Sequence, residues 1–523
     1  MNRMLSFLKK HPLWISYAAG IVIAIIFLAG NTHEIYRDQA AYYAPMAEAF
    51  AHGDWAEAFP PDIPILTSML AGLLVYCGLS SLTALMAVGA AFHIATLYPL
   101  NRLLCLVLSE RMAALGCFLF IISPKVIRFN CMGLPDSGRT FFLVALVLVL
   151  AEYLRRPGVS WAVWGGGIAG ALSLVRSEGL VYAGVAGVVF LYPAWRQWRI
   201  ETDKAAARYQ IQKALVYCIT FGVMTLCVIA PRLYGNYQTT GLPVCDTRHV
   251  SFLKQMLHIP TKKKQPGTEI NRLQTQLYVH VDSPVQAAPP RRTFFNLGDL
   301  LNDWVRGSYE LYLCLAAVGL VLLLWRREWR AEHTLCVIFM AVTVLIFAPL
   351  VVAYRYFLVN VPLMMPFTVL PLAEVGKYGS RFRYFRAAAL IALAVLAVAQ
   401  TVNATSVFRD PSRECEVGRW IASHREELSG GAERFWVIAD TVRIPYWSGT
   451  YPRLFWEGEA WHPKQVAAFE FEKGSSGVFV FEMRQENSLA EEFQRNPRFE
   501  RVTGHPYSDE IAIFKYLPSL KTQ

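Results

Sequence analysis

Long uninterrupted apolar segments are the feature of this sequence that most constrains its fold. A chain in lipid must satisfy its backbone hydrogen bonds internally, so an apolar run of about 20 residues is typical of a membrane-spanning helix. Such runs occur at 13–30, 82–104, 111–130, 137–154, 160–175, 178–195, 213–232, 308–325, 333–353, 355–375 and 386–403. A weaker run at 63–79 is predicted to be interfacial or re-entrant. The sequence therefore predicts an all-α polytopic membrane protein with about 11 transmembrane helices.

Composition supports this class of protein. The 523 residues are 54% hydrophobic and 17% charged, whereas an ordinary soluble domain has about 25% charged residues. The net charge of +11 does not indicate a nucleic-acid partner, because many Lys and Arg residues lie in short connections between apolar runs, where they orient helices in a membrane. Most of the ten cysteines lie inside apolar runs without CxxC spacing, which predicts small hydrophobic residues rather than disulfides or metal ligands.

The distribution of basic residues predicts the topology. Clusters of Arg and Lys occur at every second connection, and the positive-inside rule places such connections in the cytoplasm. The N-terminus is then inside and the C-terminus outside, with a first outside loop at 31–81 and a long outside loop at 233–305. The basic run Lys262 to Lys264 in the second loop is interpreted as a solvated run, with anionic lipid or phosphate binding as the alternative.

Two domains are expected. Residues 1–403 form the transmembrane domain, and residues 404–523 alternate helical patterns with short β-rich runs such as "RFWVIAD", "GVFVFEM" and "EIAIFKY". That alternation favours a small α/β domain outside the membrane. It has no phosphate loop or metal-ligand spacing and is interpreted as accessory.

The segment "GGGIAG" at Gly165 to Gly170 formally matches a dinucleotide fingerprint. A dinucleotide site needs a preceding strand and a βαβ unit, but this segment lies inside an apolar helix. Gly166 and Gly170 are four residues apart, which is the spacing of small residues that lets two membrane helices pack closely. The sequence therefore predicts a helix contact here, and it contains no motif for using ATP.

The first outside loop carries two candidate catalytic acids, Asp38 and Asp62. Asp38 is predicted either to cap a helix or to act as a carboxylate at the membrane boundary, and Asp62 in "PPDIP" is equally compatible with a turn residue. Tyr43, Met46, Ala47 and Phe50 form an apolar stripe at helical spacing, so a helix lying on the bilayer would fit, kinked or beginning at Pro45.

The ordered set of motifs resembles the membrane-embedded GT-C glycosyltransferases. The residues concerned are an acid after the first span, "YY", an "A-x-x-F-x-x-G-D-W" run, "PPDIPI", "LPDSGRTFF", "LVRSEG" and "YRYFLVNVPLMMP". They are most similar to the protein O-mannosyltransferase and lipid A aminoarabinose transferase groups, over about residues 10–375. Each motif alone is weak, but the order of the set is specific.

The resemblance implies roles for particular residues. Asp38 would be the base toward the acceptor, and Asp62 the second acid of the first loop, which in some members helps to hold a divalent metal. Arg176 and Arg355 would contact the lipid-linked phosphate, and Asp136, Tyr42 and Tyr43 would contribute to substrate binding. The family often has Asp-Glu where this chain has Asp38-Gln39, and the aminoarabinose transferase has lysine where Ile63 stands, so metal use and donor identity stay open.

The residue types and their positions also fit purely structural roles. Arg176 and Arg355 lie near predicted outside helix ends, where arginine is also tolerated by reaching to the interface. Asp136 fits an N-cap equally well. Glu178 is interpreted as the ion-pair partner of Arg176. His93 and His258 have no partners at ligand spacing and are interpreted as structural.

The sequence thus predicts an inverting, integral membrane glycosyltransferase of a bacterial inner membrane. It would move a sugar from a polyprenyl-phosphate donor to a lipid, glycan or protein hydroxyl on the periplasmic face, with no certain cofactor and a divalent metal possible. A lipid or solute transporter or flippase is an alternative, although no internal repeat is evident. A non-enzymatic membrane scaffold is another, in which the first-loop acids would be expendable.

Overall fold

The computed structural model describes most of the chain. The described residues are 12–30, 35–61, 63–200, 204–246, 297–308, 310–347, 354–379, 413–432, 434–439, 443–450, 454–455, 475–482 and 487–517. Several predicted features therefore lie outside the described residues: the predicted span 386–403, the boundary at 403/404, His258, Lys262 to Lys264 and Asp62.

The chain divides into two compact units. We call the first the membrane unit, which contains Met1–Ala29, Met46–His258 and Pro290–Val407. We call the second the sheet unit, because it contains the C-terminal sheet within Phe408–Gln523; the segment Gly30–Pro45 belongs to it as well. The first-loop segment that carries Asp38 is thus part of the sheet unit.

The membrane unit is helical. Its helices are α1 (Leu13–Gly30), α2 (Ala44–His52, from Met46 onward), α3 (Trp55–Ala58), α4 (Leu66–Tyr76), α5 (Ser81–Ala95), α6 (Leu97–Cys105), α7 (Glu110–Ile121), α8 (Pro124–Cys131), α9 (Asp136–Arg155), α10 (Val159–Val175), α11 (Gly179–Ile200), α12 (Lys204–Thr240), α13 (Leu297–Ser308), α14 (Glu310–Arg326), α15 (Ala331–Phe347) and α16 (Asn360–Gly379). A 3₁₀ turn at Tyr354–Phe357 precedes α16.

Several of these helices are long and apolar enough to cross a membrane. Within the described residues, five helices have the length and apolar composition of a membrane span: Leu13–Gly30, Ser81–Cys105, Asp136–Arg155, Gly179–Arg199 and Arg208–Gln238. Two bent helix pairs raise the number to seven if each pair is one span. Three shorter apolar helices, Leu66–Tyr76, Val159–Val175 and Ala331–Phe347, accompany them. The protein is a multi-pass integral membrane protein with a mostly helical fold, as the sequence predicts.

One predicted span is broken. The segment 111–130 forms α7 and α8, which meet at a bend of 63°. Pro124 is the first residue of α8, and proline cannot donate the backbone hydrogen bond that would continue α7. The bend directs the chain toward the start of α9, and Gly133, with φ +76°, forms the turn between α8 and α9 in a backbone conformation that favours glycine.

The apolar stripe of α2 packs on protein, at helix α4. A Cβ on Gly72 of α4 would lie 2.6 Å from Phe50 Cβ and 3.0 Å from the Ala47 carbonyl oxygen, so the two helices are in direct contact. Ser81 Oγ donates to Glu48 Oε1 at 2.6 Å and ties α2 to α5. The stripe is apolar because it belongs to the protein core.

The sheet unit contains a five-stranded mixed sheet. Its elements are α17 (Arg413–Ser423), α18 (Arg425–Ser429), β1 (Arg434–Ala439), α19 (Arg443–Trp447), β2 (Leu454–Phe455), β3 (Ser475–Glu482), α20 (Asn487–Arg495), β4 (Phe499–Val502) and β5 (Ile511–Tyr516). The strand order is β2-β1-β3-β5-β4, with β1 parallel to β2 and β3, and β5 antiparallel to β3 and β4.

Apolar side chains on alternate sides of β3 pack against both faces of this sheet. Val478 and Val480 lie in a cluster with residues of α17 and β1, whereas Phe479 and Phe481 lie in a second cluster with Phe493 of α20. A strand with apolar residues on both sides needs cover on both faces, and the surrounding helices supply it. The predicted strands at "RFWVIAD", "GVFVFEM" and "EIAIFKY" correspond to β1, β3 and β5.

The glycine motif in α10 is a helix contact, as its spacing predicts. A Cβ on Gly166 would lie 2.4 Å from the Phe221 carbonyl oxygen, and one on Gly170 would lie 2.6 Å from Val228 Cβ. Thr225 Oγ1 also donates to the Gly166 carbonyl at 3.2 Å. The absent side chains let α10 and α12 approach to backbone contact.

We predict that Gly166→Ala destabilises the protein by about 1–3 kcal/mol, because the added methyl overpacks this contact. Gly167→Ala is the matched control, since a Cβ there meets nothing within 4 Å and alanine favours a helix over glycine. Thermal unfolding in detergent should give a lower midpoint for Gly166→Ala alone. Equal midpoints for the two variants would contradict the contact.

Candidate active site

Three arginine side chains of the membrane unit surround the ring of Tyr356. The guanidinium carbons of Arg176, Arg355 and Arg139 lie 4.7, 5.1 and 5.9 Å from the ring centroid. A cation within about 6 Å of an aromatic face is attracted by the ring quadrupole. We call these residues, with Asp136 and Glu178, the arginine cluster. Arg176 and Arg355, which the sequence predicts as phosphate ligands, therefore lie in one site.

The cluster is assembled from helix ends. Asp136 and Arg139 are in the first turn of α9, Arg176 follows the last residue of α10, and Tyr356 lies in the turn before α16. Consecutive helices that cross a membrane place alternate ends on the same side, so the start of α9 and the end of α10 meet. Sequence-distant residues reach one place because of this up-and-down order.

Arg139 ties α9 to the turn. Its Nη2 donates to the Tyr356 carbonyl oxygen at 2.6 Å and lies 3.6 Å from Asp136 Oδ1. The Arg139 side chain is completely buried. Its Nε and Nη1 have no hydrogen-bond partner among the described residues, so two donors are available to an additional acceptor.

Asp136 is not an N-cap, which corrects one of the two interpretations of this residue. It is the first residue of α9, and Pro135 stands at the cap position without a capping hydrogen bond. The carboxylate is paired with Arg139, three residues later on the same face of the helix. Arg139 Nη2 thus lies near the Asp136 carboxylate and donates to the Tyr356 carbonyl.

Arg176 and Glu178 form the ion pair that their spacing predicts. Arg176 Nη2 donates to Glu178 Oε1 at 2.7 Å, and Nε donates to Oε2 at 3.2 Å. The two side chains are only 14% and 12% exposed. Both lie in the connection between α10 and α11, outside the spans.

The electrostatic surroundings keep both members of this pair charged. Burial raises the pKa of Glu178. The charge and hydrogen bonds of Arg176, together with the charge of Arg139, lower it by a larger amount, so the pKa lies below its usual value. Burial lowers the pKa of Arg176, whereas Glu178 and Asp136 raise it well above its usual value. Arg176 and Glu178 therefore form a charged pair at neutral pH.

The acidic turn of the first loop is anchored close to this cluster. Arg232 of α12 donates from Nη2 to the carbonyl oxygens of Pro60 and Ile63, at 2.5 and 2.8 Å. Asn236 Nδ2 donates to the Pro61 carbonyl at 3.3 Å. Ile65 N donates to the Leu174 carbonyl at 3.1 Å, two residues before Arg176. The backbone on both sides of Asp62 is thus fixed to helix ends of the membrane unit.

Asp38 and the two tyrosines lie in the sheet unit. Asp38 is half-buried and immediately precedes a π-helical turn at Gln39–Tyr43, without a capping hydrogen bond to that turn. Tyr42 is 39% exposed, whereas Tyr43 is 7% exposed. The helical cap predicted as one role for Asp38 is therefore not formed.

A second group of basic residues surrounds the neighbouring Tyr354. Arg306 and Lys125 lie 5.2 and 5.9 Å from its ring centroid. Lys125 Nζ also donates to the Arg306 carbonyl at 2.7 Å and pairs with Glu310 at 3.2 Å, which ties the end of α13 to α8. These contacts stabilise the first residue of the turn Tyr354–Phe357, whereas the arginine cluster contacts Tyr356.

Sequence reasoning missed Arg139, Tyr356, Arg232 and Asn236. Asp136 and Arg139 at i and i+3 on a predicted helix are a readable signal of an ion pair. Tyr356 lies in the "YRYF" motif, but no sequence pattern there indicates that its ring contacts arginine side chains. Arg232 and Asn236 are four residues apart at the predicted end of a span, which is a weak signal of a shared face. His93 is structural, since its Nδ1 and the Asn130 amide are hydrogen-bonded at 3.1 Å in the core.

Comparisons with known proteins identify the fold. The structure matches that of ArnT from Cupriavidus metallidurans bound to undecaprenyl phosphate, with a TM-score of 0.59 and 14% identity over 97% of this chain and 98% of that one. It also matches the archaeal oligosaccharyltransferase AglB from Archaeoglobus fulgidus in complex with an inhibitory peptide and a dolichol-phosphate, with a TM-score of 0.51 and 12% identity over 99% and 75% of the two chains.

Both are GT-C membrane glycosyltransferases, so this chain has the GT-C fold that the sequence resemblance predicts. No protein-family model matches the sequence. No curated protein matches it either. The likeness is therefore one of architecture over nearly the whole chain.

We predict that Arg176→Met lowers the free energy of unfolding by about 3–5 kcal/mol, because it leaves the Glu178 carboxylate buried without its partner. The double variant Arg176→Met with Glu178→Gln should recover most of this loss, since no unpaired charge remains. Thermal unfolding in detergent measures both. If the double variant is as unstable as the single one, the ion pair is not what holds this connection.

Proposed function

We propose that this protein is an integral membrane glycosyltransferase that uses a sugar linked to a polyprenyl phosphate. The observation that carries the proposal is the arginine cluster, in which three guanidinium groups meet at one tyrosine ring on a GT-C fold. Guanidinium groups bind phosphate oxygens in a planar, bidentate manner. The ArnT structure that shares this fold contains undecaprenyl phosphate, which is the ligand class that the cluster suits.

The cluster would bind the donor phosphate. Glu178 occupies much of the hydrogen-bonding capacity of Arg176, so Arg355 and the two free donors of Arg139 are the groups best suited to contact phosphate oxygens. Arg176 would contribute its charge, and Asp136 would hold Arg139 in place. Tyr356 supports all three guanidiniums.

The acids would perform the proton transfer. In the proposed step, the Asp38 carboxylate accepts the proton of an acceptor hydroxyl while the hydroxyl oxygen forms a bond to the anomeric carbon. The bond from that carbon to the phosphate oxygen breaks, and the phosphate leaves with the electron pair. A single displacement inverts the anomeric centre. Asp62 is proposed as the second first-loop acid, and Tyr42 and Tyr43 as contacts to the sugar or acceptor.

Residues suited to hold a metal ion are not evident in the described part of the chain. No group of three or more His, Cys, Asp or Glu side chains lies together there. The acid that the resemblance associates with a divalent metal is Asp62, which lies outside the described residues.

The proposed setting is a bacterial inner membrane, with the site and the sheet unit on the periplasmic face. The basic clusters at alternate connections support this orientation through the positive-inside rule. The acceptor is a lipid, glycan or protein hydroxyl at that face.

We predict that Arg355→Met weakens binding of undecaprenyl phosphate roughly 10- to 100-fold, because a charge-assisted hydrogen bond contributes about 1.5–3 kcal/mol. Arg306→Met is the matched control, since Arg306 lies over the neighbouring Tyr354 and is exposed. Native mass spectrometry or thermal shift with undecaprenyl phosphate in detergent measures the affinity. Equal affinities for wild type and Arg355→Met would exclude the cluster as the phosphate site.

We also predict that Asp38→Asn reduces sugar transfer at least about 100-fold, which is the usual contribution of a general base. Undecaprenyl phosphate binding should be unchanged, because Asp38 is not part of the arginine cluster. Asp54→Asn is the control acid of the same loop, since Asp54 accepts from Glu57 N and caps α3. Mass spectrometry of envelope glycolipids and glycans measures transfer, and full activity in Asp38→Asn would refute its role as base.

A further inference from the structure

We infer that the sheet unit is the support that positions Asp38, so that the C-terminal domain takes part in the reaction rather than being accessory. This inference rests on the proposed function for the role of Asp38. Its structural part stands on contacts within the sheet unit alone. Residues 30–45 belong to this unit although more than 360 residues separate them from its strands in the sequence.

The first step is the contact between the segment and the domain. The π-helical turn at Gln39–Tyr43, which directly follows Asp38, contacts α19 at Arg443–Trp447. Ile35, Ala40 and Ala44 are completely buried, and Gln39 is 2% exposed. A segment buried to this degree is part of a packed core, not a free loop.

The second step is the rigidity of the turn itself. Tyr36 N donates to Gln39 Oε1 at 2.7 Å, and Ala40 N donates to the Tyr36 carbonyl at 3.0 Å. These bonds close the backbone around Asp38 from both sides. Gln39 has a neutral amide side chain, which costs less to bury than a charged group would.

The third step is the attachment of α19 to the sheet. A Cβ on Gly418 of α17 would lie 2.6 Å from Trp447 Cβ and 2.8 Å from the Ile444 carbonyl oxygen, so α17 and α19 are in backbone contact. Ile444 is 1% exposed and packs in the cluster that includes Val437 and Ala439 of β1. Ser448 Oγ donates to the Pro445 carbonyl at 2.9 Å and closes the end of α19.

These contacts form a continuous path from the sheet through α19 to the turn beside Asp38. The path uses only the face of the sheet that α17 covers. The opposite face, which contains Phe499 and Phe493, packs in a separate cluster. A change on the α19 side should therefore reach Asp38, whereas an equally destabilising change on the other face should not.

The test compares Gly418→Ala with Phe499→Leu in the full-length protein. Hydrogen exchange followed by mass spectrometry should give at least tenfold faster exchange of the amides of residues 39–43 in Gly418→Ala and wild-type exchange there in Phe499→Leu. Sugar transfer should fall at least fivefold in turnover number for Gly418→Ala, with KM for the lipid-linked donor within twofold of wild type, since the arginine cluster is untouched. Ser448→Ala provides a second, milder variant of α19 if Gly418→Ala folds poorly.

Unchanged exchange at 39–43 in both Gly418→Ala and Ser448→Ala would overturn the inference, and so would equal acceleration in Gly418→Ala and Phe499→Leu. A different outcome bears on the proposed function. If exchange accelerates as expected and transfer is unaffected, the sheet unit does support the segment, but Asp38 is not the base. If undecaprenyl phosphate also fails to bind the wild-type protein, the proposed donor class is wrong while the support of the segment stands.

Discussion

The arrangement of three guanidinium groups around one tyrosine ring is the constraint on which the candidate site depends. Like charges so close together repel one another, and their burial removes the water that would screen them. The structure offsets this cost in three ways. Glu178 binds Arg176 with two hydrogen bonds, Asp136 pairs with Arg139, and the Tyr356 carbonyl accepts a further hydrogen bond from Arg139. These partners reduce the cost of bringing the helix ends together.

The same principle explains why the neighbouring backbone is fixed by polar side chains. A turn such as Pro60 to Ile63 exposes carbonyl oxygens that no helix satisfies, and Arg232 and Asn236 donate to three of them. The small residues of α10 have the complementary role, since they bring α12 close enough for its end to reach that turn. Apolar contact thus sets the distance between helices, and buried donors set the position of the connections.

Much of this architecture could be predicted from local pattern. Some features depend only on residues close together in the sequence. They are the apolar runs, the glycine spacing of α10 and the spacing of Arg176 and Glu178, and each can be recognised from the sequence alone. Three features could not be read in this way. The stripe of α2 packs against α4, and apolar periodicity alone does not say which helix such a stripe will meet. Asp136 pairs with Arg139 and does not cap the helix, and the position of the Arg139 side chain that decides this cannot be read from the sequence. Tyr356 has its role only because α9, α10 and the turn before α16 converge, which is a property of the whole fold.

The three guanidinium groups of the arginine cluster have a chemical consequence under the proposed function. A sugar linked to a polyprenyl phosphate is a phosphodiester with one negative charge, whereas the phosphate that departs is a monoester with about 1.5 to 2 negative charges at neutral pH. A fixed cationic site therefore interacts more strongly with the departing group than with the bound donor. Catalysis requires this difference, since only interactions that strengthen toward the transition state raise the rate. Arginine suits this role better than lysine, because its charge persists at every physiological pH and its planar fork is already oriented by Asp136 and Glu178.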